Sequence, residues 1–267
     1  MAILGFIGTG NMGGALARAV CKSIPGDQVL LSNRTPEKAR VLAEELGCQA
    51  VDNATVAERA DLIFLGVKPQ YMAGLLSDIG PVLDQREKRF ILVSMAAGLT
   101  IPRIRELAGK DYPVIRIMPN TPAAIGEGMV FYDCSENVTK EDEQVFLASL
   151  AGAGRLAPLA DHLMDAGSAV AGCGPAFADL FLEALADGGV ACGLPRAQAL
   201  EFAAQMTAGS ARLILESGRH PGELKDAVCS PGGTTIQGVR VLEERGFRAA
   251  AMDAVIATFE KNKELAK

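Results

Sequence analysis

Three groups of residues in this chain have types and spacing suited to chemistry. The first is Gly8-Thr9-Gly10-Asn11-Met12-Gly13, a G-x-G-x-x-G run. It follows the apolar stretch Ile3–Ile7 and opens a helical pattern, the context in which such glycines hold a dinucleotide. Gly8 permits a tight turn, Gly10 lets a pyrophosphate approach the backbone, and Gly13 lets helix and strand pack closely. The helix start then directs free N–H groups at the phosphates. The second group lies about 20 residues past Gly13, where Leu31-Ser32-Asn33-Arg34-Thr35 carries no carboxylate. Folds that take NAD place an acid there for the ribose 2′-hydroxyl. Arg34 instead offers a planar fork suited to phosphate, with donors from Asn33, Thr35 and Lys38. This favours NADPH, with NADH as the alternative. The third group is Cys229-Ser230-Pro231-Gly232-Gly233-Thr234-Thr235-Ile236. Pro231 fixes one dihedral, the two glycines free the next, and Thr234 is placed to cap the helix continued by Ile236, Val239 and Leu242. The N–H groups of a Gly-Gly turn at a helix start suit a small carboxylate, and Ser230 and Thr235 add hydroxyls.

Such groups need elements to position them. Up to about residue 160, short apolar runs alternate with helical stretches. Ile3–Ile7, Gln28–Leu31, Asp61–Gly66, Phe90–Val93, Val114–Ile117 and Met129–Tyr132 read as strands. Between them, Met12–Lys22, Pro36–Leu46, Val56–Arg59, Gln70–Ile79, Ile101–Leu107 and Lys140–Leu150 read as helices. The alternation predicts an α/β, Rossmann-type domain over 1–160, with a parallel sheet covered on both faces. Thr35-Pro36, Thr100-Ile101-Pro102 and Thr139-Lys140-Glu141-Asp142 mark helix starts. Ligands in such sheets lie at the carboxyl ends of strands. Val67-Lys68-Pro69, Ala96-Ala97-Gly98 and Met118-Pro119-Asn120-Thr121-Pro122 therefore join the site, the small residues leaving room for a flat ring.

From residue 161 to 267 the strand signal is gone, and an all-α domain is expected. Phe177, Leu180, Phe181, Ala184 and Leu185 follow helical spacing, while Ala178, Leu182 and Ala186 make the other side of that helix apolar too. Phe247, Ala250, Ala251, Ala254, Val255, Thr258 and Phe259 form a second such series. A helix apolar round most of its circumference must be buried, and a region this small would bury it against a second subunit. At least a homodimer is expected.

Composition removes whole classes of function. The 267 residues are 49% hydrophobic and 22% charged, as in an ordinary globular protein, and their number suits two domains. A net charge of −6 without a basic block disfavours nucleic acid. No apolar run of about 18 residues stands out, so no membrane span is expected. Six cysteines without a C-x-x-C, and an N-terminus without a charged leader, point to reduced thiols in the cytoplasm. Two histidines, His162 and His220, leave little room for a zinc site or a His-based triad, and no metal is expected.

The chain as a whole resembles the pyrroline-5-carboxylate reductases. Gly5-Phe6-Ile7-Gly8, Val67-Lys68-Pro69, Ala96-Ala97-Gly98, Met118-Pro119-Asn120-Thr121-Pro122 and Leu224-Lys225-Asp226 occur in that family's order, and Ser230-Pro231-Gly232-Gly233-Thr234-Thr235 is its most specific motif. The resemblance implies reduction of a cyclic imino acid, 1-pyrroline-5-carboxylate, to L-proline by NAD(P)H, in a Rossmann domain followed by a helical dimerisation domain. It implies that Thr235 hydrogen-bonds the ring nitrogen, that Ser230, Gly232, Gly233 and Thr234 hold the substrate, and that Asn53 lies near the cofactor ribose. The opening glycine run also resembles the β-hydroxyacid dehydrogenases. Those use a lysine in G-x-x-x-K-x-x-x-N, and here Gly172-Cys173-Gly174-Pro175-Ala176 places Ala176 at the lysine position. A non-catalytic NADPH-binding sensor is the remaining alternative.

Overall fold

The computed structural model describes residues 2–265. Its first part runs β1 (Leu4–Ile7), α1 (Asn11–Val20), β2 (Val29–Ser32), α2 (Pro36–Leu46), β3 (Gln49–Ala50), α3 (Asn53–Arg59), β4 (Leu62–Leu65), α4 (Met72–Asp84), β5 (Ile91–Ser94), α5 (Ile101–Ala108), β6 (Val114–Met118), β7 (Gly128–Cys134), α6 (Lys140–Ser149) and β8 (Gly154–Pro158). One sheet takes the order β3-β2-β1-β4-β5-β6-β7-β8. Its first six strands are parallel, β7 is antiparallel to β6, and β8 is parallel to β7. The order through β6 is that of a doubly wound dinucleotide fold.

The apolar runs are continuous because both faces are covered. Along β1, Leu4 and Phe6 enter one core with Leu16, Leu42 and Phe146 from α1, α2 and α6. Ile7 enters the other, with Val56, Leu75, Leu76 and Ile104 from α3, α4 and α5. The paired residues Phe6 and Phe64 stack with ring centroids 4.4 Å apart. Two strands went unpredicted, β3 and β8. Both lie at sheet edges and neither holds a fully buried residue, so neither shows an apolar run. The antiparallel β7 is a further departure from the all-parallel expectation.

Helix α4 runs on through Pro81, past its predicted end at Ile79, because it carries Leu83 into the core at 2% exposure. Thr139 and Asp142 form a reciprocal capping box, and Thr100 accepts from the Arg103 N–H. Thr35 stands at the cap position of α2, as expected, but its side chain makes no cap bond, and its N–H donates to Asn33 Oδ1 at 3.1 Å.

The rest is helical: α7 (Met164–Gly167), a π-helical turn over Ser168–Gly172, α8 (Gly174–Ala191), α9 (Arg196–Ser217), α10 (Pro221–Val228), α11 (Thr234–Glu244) and α12 (Phe247–Leu265). The chain forms two compact units. One extends to Cys173 and takes back the chain from Thr258, and the other spans Gly174–Ala257. The first unit thus takes in residues 161–173 and the end of α12. Arg116 of β6, only 2% exposed, pairs with Asp161 at 2.7 Å and Asp165 at 3.6 Å. Asn120 donates to the Ala171 carbonyl at 3.0 Å, and Asn262 of α12 to the Asp165 carbonyl at 3.4 Å.

In the second unit few side chains are covered. Ala186 is the buried residue of α8, and Ala199 and Ala203 are those of α9. Leu180 and Leu215 are each 67% exposed, and Phe202, Met252 and Ile256 are exposed as well. The stretch Asp161–Ala191 contains an 18-residue window of mean hydropathy 1.4 and is, by length and composition, long and apolar enough to cross a membrane, contrary to the expectation of no span. Length and composition do not separate such a helix from one whose apolar side meets another chain.

Candidate active site

The glycine run lies where β1 ends and α1 begins. Gly8 adopts φ +100°, which only glycine takes without strain. A β-carbon on Gly13 would sit 2.1 Å from the Gly8 carbonyl oxygen, whereas one on Gly10 would meet nothing within 4 Å. The outer glycines thus serve packing, and the middle one opens a space that a β-carbon would fill. Thr9 is buried, while Asn11 is exposed and Met12 half-buried beside it. Gly10 precedes α1 without a side-chain cap, which leaves the first helical N–H groups open to an anion.

Neighbouring strand ends converge on this turn. Asn33, just past β2, donates from Nδ2 to Thr9 Oγ1 at 2.9 Å. Ser32 donates to Asn53 Oδ1 at 2.6 Å. Asn53 is the first residue of α3, whose cap is Asp52. The Thr55 hydroxyl and N–H hold the Asp52 carboxyl below its ordinary range. Ser32, Asn33, Asp52 and Asn53 share a cavity of about 860 Å³. A second groove of about 380 Å³ brings Thr9, Gly10 and Asn11 beside Lys38 of α2.

Val67, Lys68 and Pro69 follow β4, Ala96 and Ala97 follow β5, and Pro119 follows β6. These are all carboxyl ends of adjacent parallel strands. Lys68, Pro69 and Ala97 are exposed, Val67 is half-buried, and Ala96 and Pro119 are buried. Arg34 stands over the ring of Tyr71, 5.1 Å from its centroid. By contrast Arg18 pairs with Glu45 at 2.7 Å and Arg40 with Glu37 at 2.8 Å.

Sequence reasoning missed three residues here. Gly66, after β4, faces the Gly8 carbonyl oxygen, which a β-carbon would approach to 2.3 Å. Arg116 was legible as one charge inside the apolar run Val114–Met118. Tyr71 had no signal, since nothing in its local pattern announces Arg34.

The second set lies in the other unit, at the turn between α10 and α11. Gly232 adopts φ +68°, and the Gly233 N–H donates to the Ser230 carbonyl at 3.0 Å. A β-carbon on Gly233 would sit 2.3 Å from Ser230 Oγ. Thr234 is not the cap: Gly233 takes that place and Thr234 is the first helical residue. The cap geometry requires extended backbone, which Gly233 supplies at ψ 172°. Ser230, Thr234 and Thr235 are exposed. In α10, Lys225 pairs with Asp226 at 2.8 Å, and its ammonium pKa is raised by that carboxylate.

Comparison with known proteins gives a consistent result. Residues 161–265 match a family model described as pyrroline-5-carboxylate reductase dimerisation, and residues 3–98 match one described as NADP oxidoreductase coenzyme F420-dependent. Pyrroline-5-carboxylate reductase from Escherichia coli K12 is 43% identical over 99% of this chain and 98% of its own length. That of Glycine max is 38% identical over 98% and 95%. The crystal structure of the Plasmodium falciparum pyrroline carboxylate reductase with NADP bound superposes with a TM-score of 0.89 at 31% identity, covering 100% of this chain and 98% of that one. With relatives of this identity over nearly its full length, and with the dinucleotide turn and the Ser230–Thr235 turn both in place, the chain belongs to the pyrroline-5-carboxylate reductase family.

Proposed function

We propose that this protein reduces 1-pyrroline-5-carboxylate to L-proline with NADPH, as a cytoplasmic homodimer or larger homo-oligomer. The observation that carries the reading is the Ser230–Thr235 turn, with its positive-φ glycine and its hydroxyls at a helix start. Family membership and the exposed apolar residues of the helical unit support it.

The substrate is a cyclic imine bearing a carboxylate. NADPH, when bound, would supply the hydride for the carbon of an imine already protonated from solvent, whose C=N electron pair then stays on nitrogen as the neutral secondary amine. A protonated imine accepts hydride readily, so the protein's work is positioning and electrostatics. Amide groups of Gly232, Gly233 and Thr234, with the Ser230 hydroxyl, hold the carboxylate. Thr235 hydrogen-bonds the ring nitrogen as it becomes an amine. In the nucleotide-binding region, the turn Gly8–Gly13 takes the pyrophosphate. Asn33 and Arg34 take the 2′-phosphate and Asn53 the ribose. Val67, Lys68, Pro69, Ala96, Ala97 and Pro119 border the nicotinamide. The residues present suit that cofactor, since the space over Gly10 is open and the first N–H groups of α1 have no side-chain cap.

A turnover assay tests the reading. Oxidation of NADPH is expected with pyrroline-5-carboxylate, and no reduction of NADP with a small 2- or 3-hydroxy acid. Turnover of the hydroxy acid alone, or of neither substrate, would overturn it. Sedimentation at micromolar concentration is expected to give twice the chain mass or a multiple of it.

A further inference from the structure

We infer that Tyr71 is a specificity-determining residue: its ring holds the Arg34 guanidinium in place as the receptor for a 2′-phosphate, so that discrimination between NADPH and NADH depends on Tyr71 as well as on Arg34. The inference rests on the cofactor reading above and adds to it a residue that no motif contains.

Arg34 lies on the loop after β2, and its backbone is fixed on one side. Asn33 beside it donates to Thr9 Oγ1 at 2.9 Å and accepts the Thr35 N–H at 3.1 Å. The far end of its side chain has a different support. Its guanidinium carbon stands 5.1 Å from the Tyr71 ring centroid, within the range of a cation–π contact. Among the described residues no carboxylate pairs with it, whereas Arg18 and Arg40 nearby are held by Glu45 and Glu37. This difference decides what Arg34 can do. A guanidinium paired with a carboxylate has its charge and part of its donor edge already engaged. One held over a ring engages none of its N–H donors with a carboxylate, and they stay available to a phosphate.

Tyr71 is well placed as a platform. It ends the turn Pro69–Tyr71 that follows Lys68, and its N–H donates to the Lys68 carbonyl at 2.9 Å. The next residue, Met72, is fully buried and starts α4. The backbone under the ring is therefore held in place, while Tyr71 as a residue is 48% exposed. Arg34 is a flexible side chain, and holding it in a receptive pose before the ligand arrives lowers the ordering cost of binding. Tyr71 thus joins the β4 end of the site to its β2 end, through a contact that serves only a cofactor with charge at the 2′ position.

The test is binding rather than turnover. NADPH, NADH, 2′,5′-ADP and 5′-AMP are titrated against the wild-type protein, Tyr71→Ala, Tyr71→Phe, Arg34→Ala and the double variant. Tyr71→Ala is expected to weaken NADPH and 2′,5′-ADP by about 2- to 5-fold, the scale of an exposed cation–π contact. NADH and 5′-AMP are expected to bind as before, Tyr71→Phe to match wild type, and Tyr71→Ala to add nothing in the Arg34→Ala background. Equal weakening of all four ligands would make Tyr71 a plain wall of the adenosine site and overturn the inference. So would no change, with Arg34→Ala still abolishing the preference for the 2′-phosphate. If Arg34→Ala itself leaves that preference intact, the cofactor reading of Arg34 fails, and the role of Tyr71 fails with it.

Discussion

Gly13 faces the carbonyl oxygen of Gly8 so closely that a β-carbon on it would lie 2.1 Å away. Helix α1 can begin where it does only because this contact is backbone on backbone. Gly10, between them, has open space where a β-carbon would point and an ordinary φ of −73°. Two alanine substitutions should therefore separate folding from binding. Gly13→Ala is expected to cost about 1–3 kcal/mol of stability, read from urea unfolding, because the crowding is with backbone. Gly10→Ala is expected to keep its unfolding midpoint. It should nonetheless bind NADPH roughly 5- to 150-fold more weakly, the same crowding now falling on the ligand.

Thr235 is the second residue of α11, exposed and close behind the positive-φ Gly232. Thr235→Ala is expected to lower kcat by roughly 10- to 1000-fold, the span between a neutral hydrogen bond and a donor to developing charge. Thr235→Ser should recover most of that loss, since the hydroxyl remains. Steady-state kinetics with pyrroline-5-carboxylate check both, and unchanged kinetics in the alanine variant would remove Thr235 from the mechanism.

Arg116 is buried in β6 and answered by Asp161 at 2.7 Å. Taking away the carboxylate leaves a guanidinium in the core with its nearer partner gone. Asp161→Ala is expected to lower the unfolding free energy by roughly 3 kcal/mol. A loss below about 1 kcal/mol in chemical denaturation would show that Asp165 alone suffices.

Acid stability has a local source at the start of α6. Burial alone would raise the Asp142 carboxyl pKa, but the Arg89 guanidinium, 2.6 Å away, and the N–H and hydroxyl of Thr139 outweigh it and hold the pKa below its ordinary value. A carboxyl depressed in the folded state adds stability above its unfolded pKa of about 3.9, and that stability is lost as pH falls through the lower, folded value. Asp142→Asn is thus expected to be less stable than wild type at pH 7 by roughly 1 kcal/mol, the scale of a lost helix cap. The gap should close as the pH falls below about 4. Urea midpoints at pH 7 and pH 3 measure it, and a gap unchanged at pH 3 would rule out the charge as its source.

Much of this molecule is written locally. Ile3–Ile7, Asp61–Gly66 and Phe90–Val93 announce their strands because each is buried on both faces, and burial on both faces leaves an unbroken apolar run. The glycine run and the Ser230–Thr235 turn are legible because particular φ values and close backbone approaches demand particular residues at fixed spacing. The edge strands Gln49–Ala50 and Gly154–Pro158 escape notice because partial exposure erases the pattern. Thr35 takes the cap position of its helix but makes no side-chain bond there, and Thr234 yields the cap position to Gly233. What only the tertiary structure decides are partnerships across the chain: Arg34 with Tyr71, Arg116 with Asp161, Asn33 with Thr9. Propensity and periodicity act within a few residues. These pairs depend on which strands lie side by side, and that follows from burying both faces of one sheet at once.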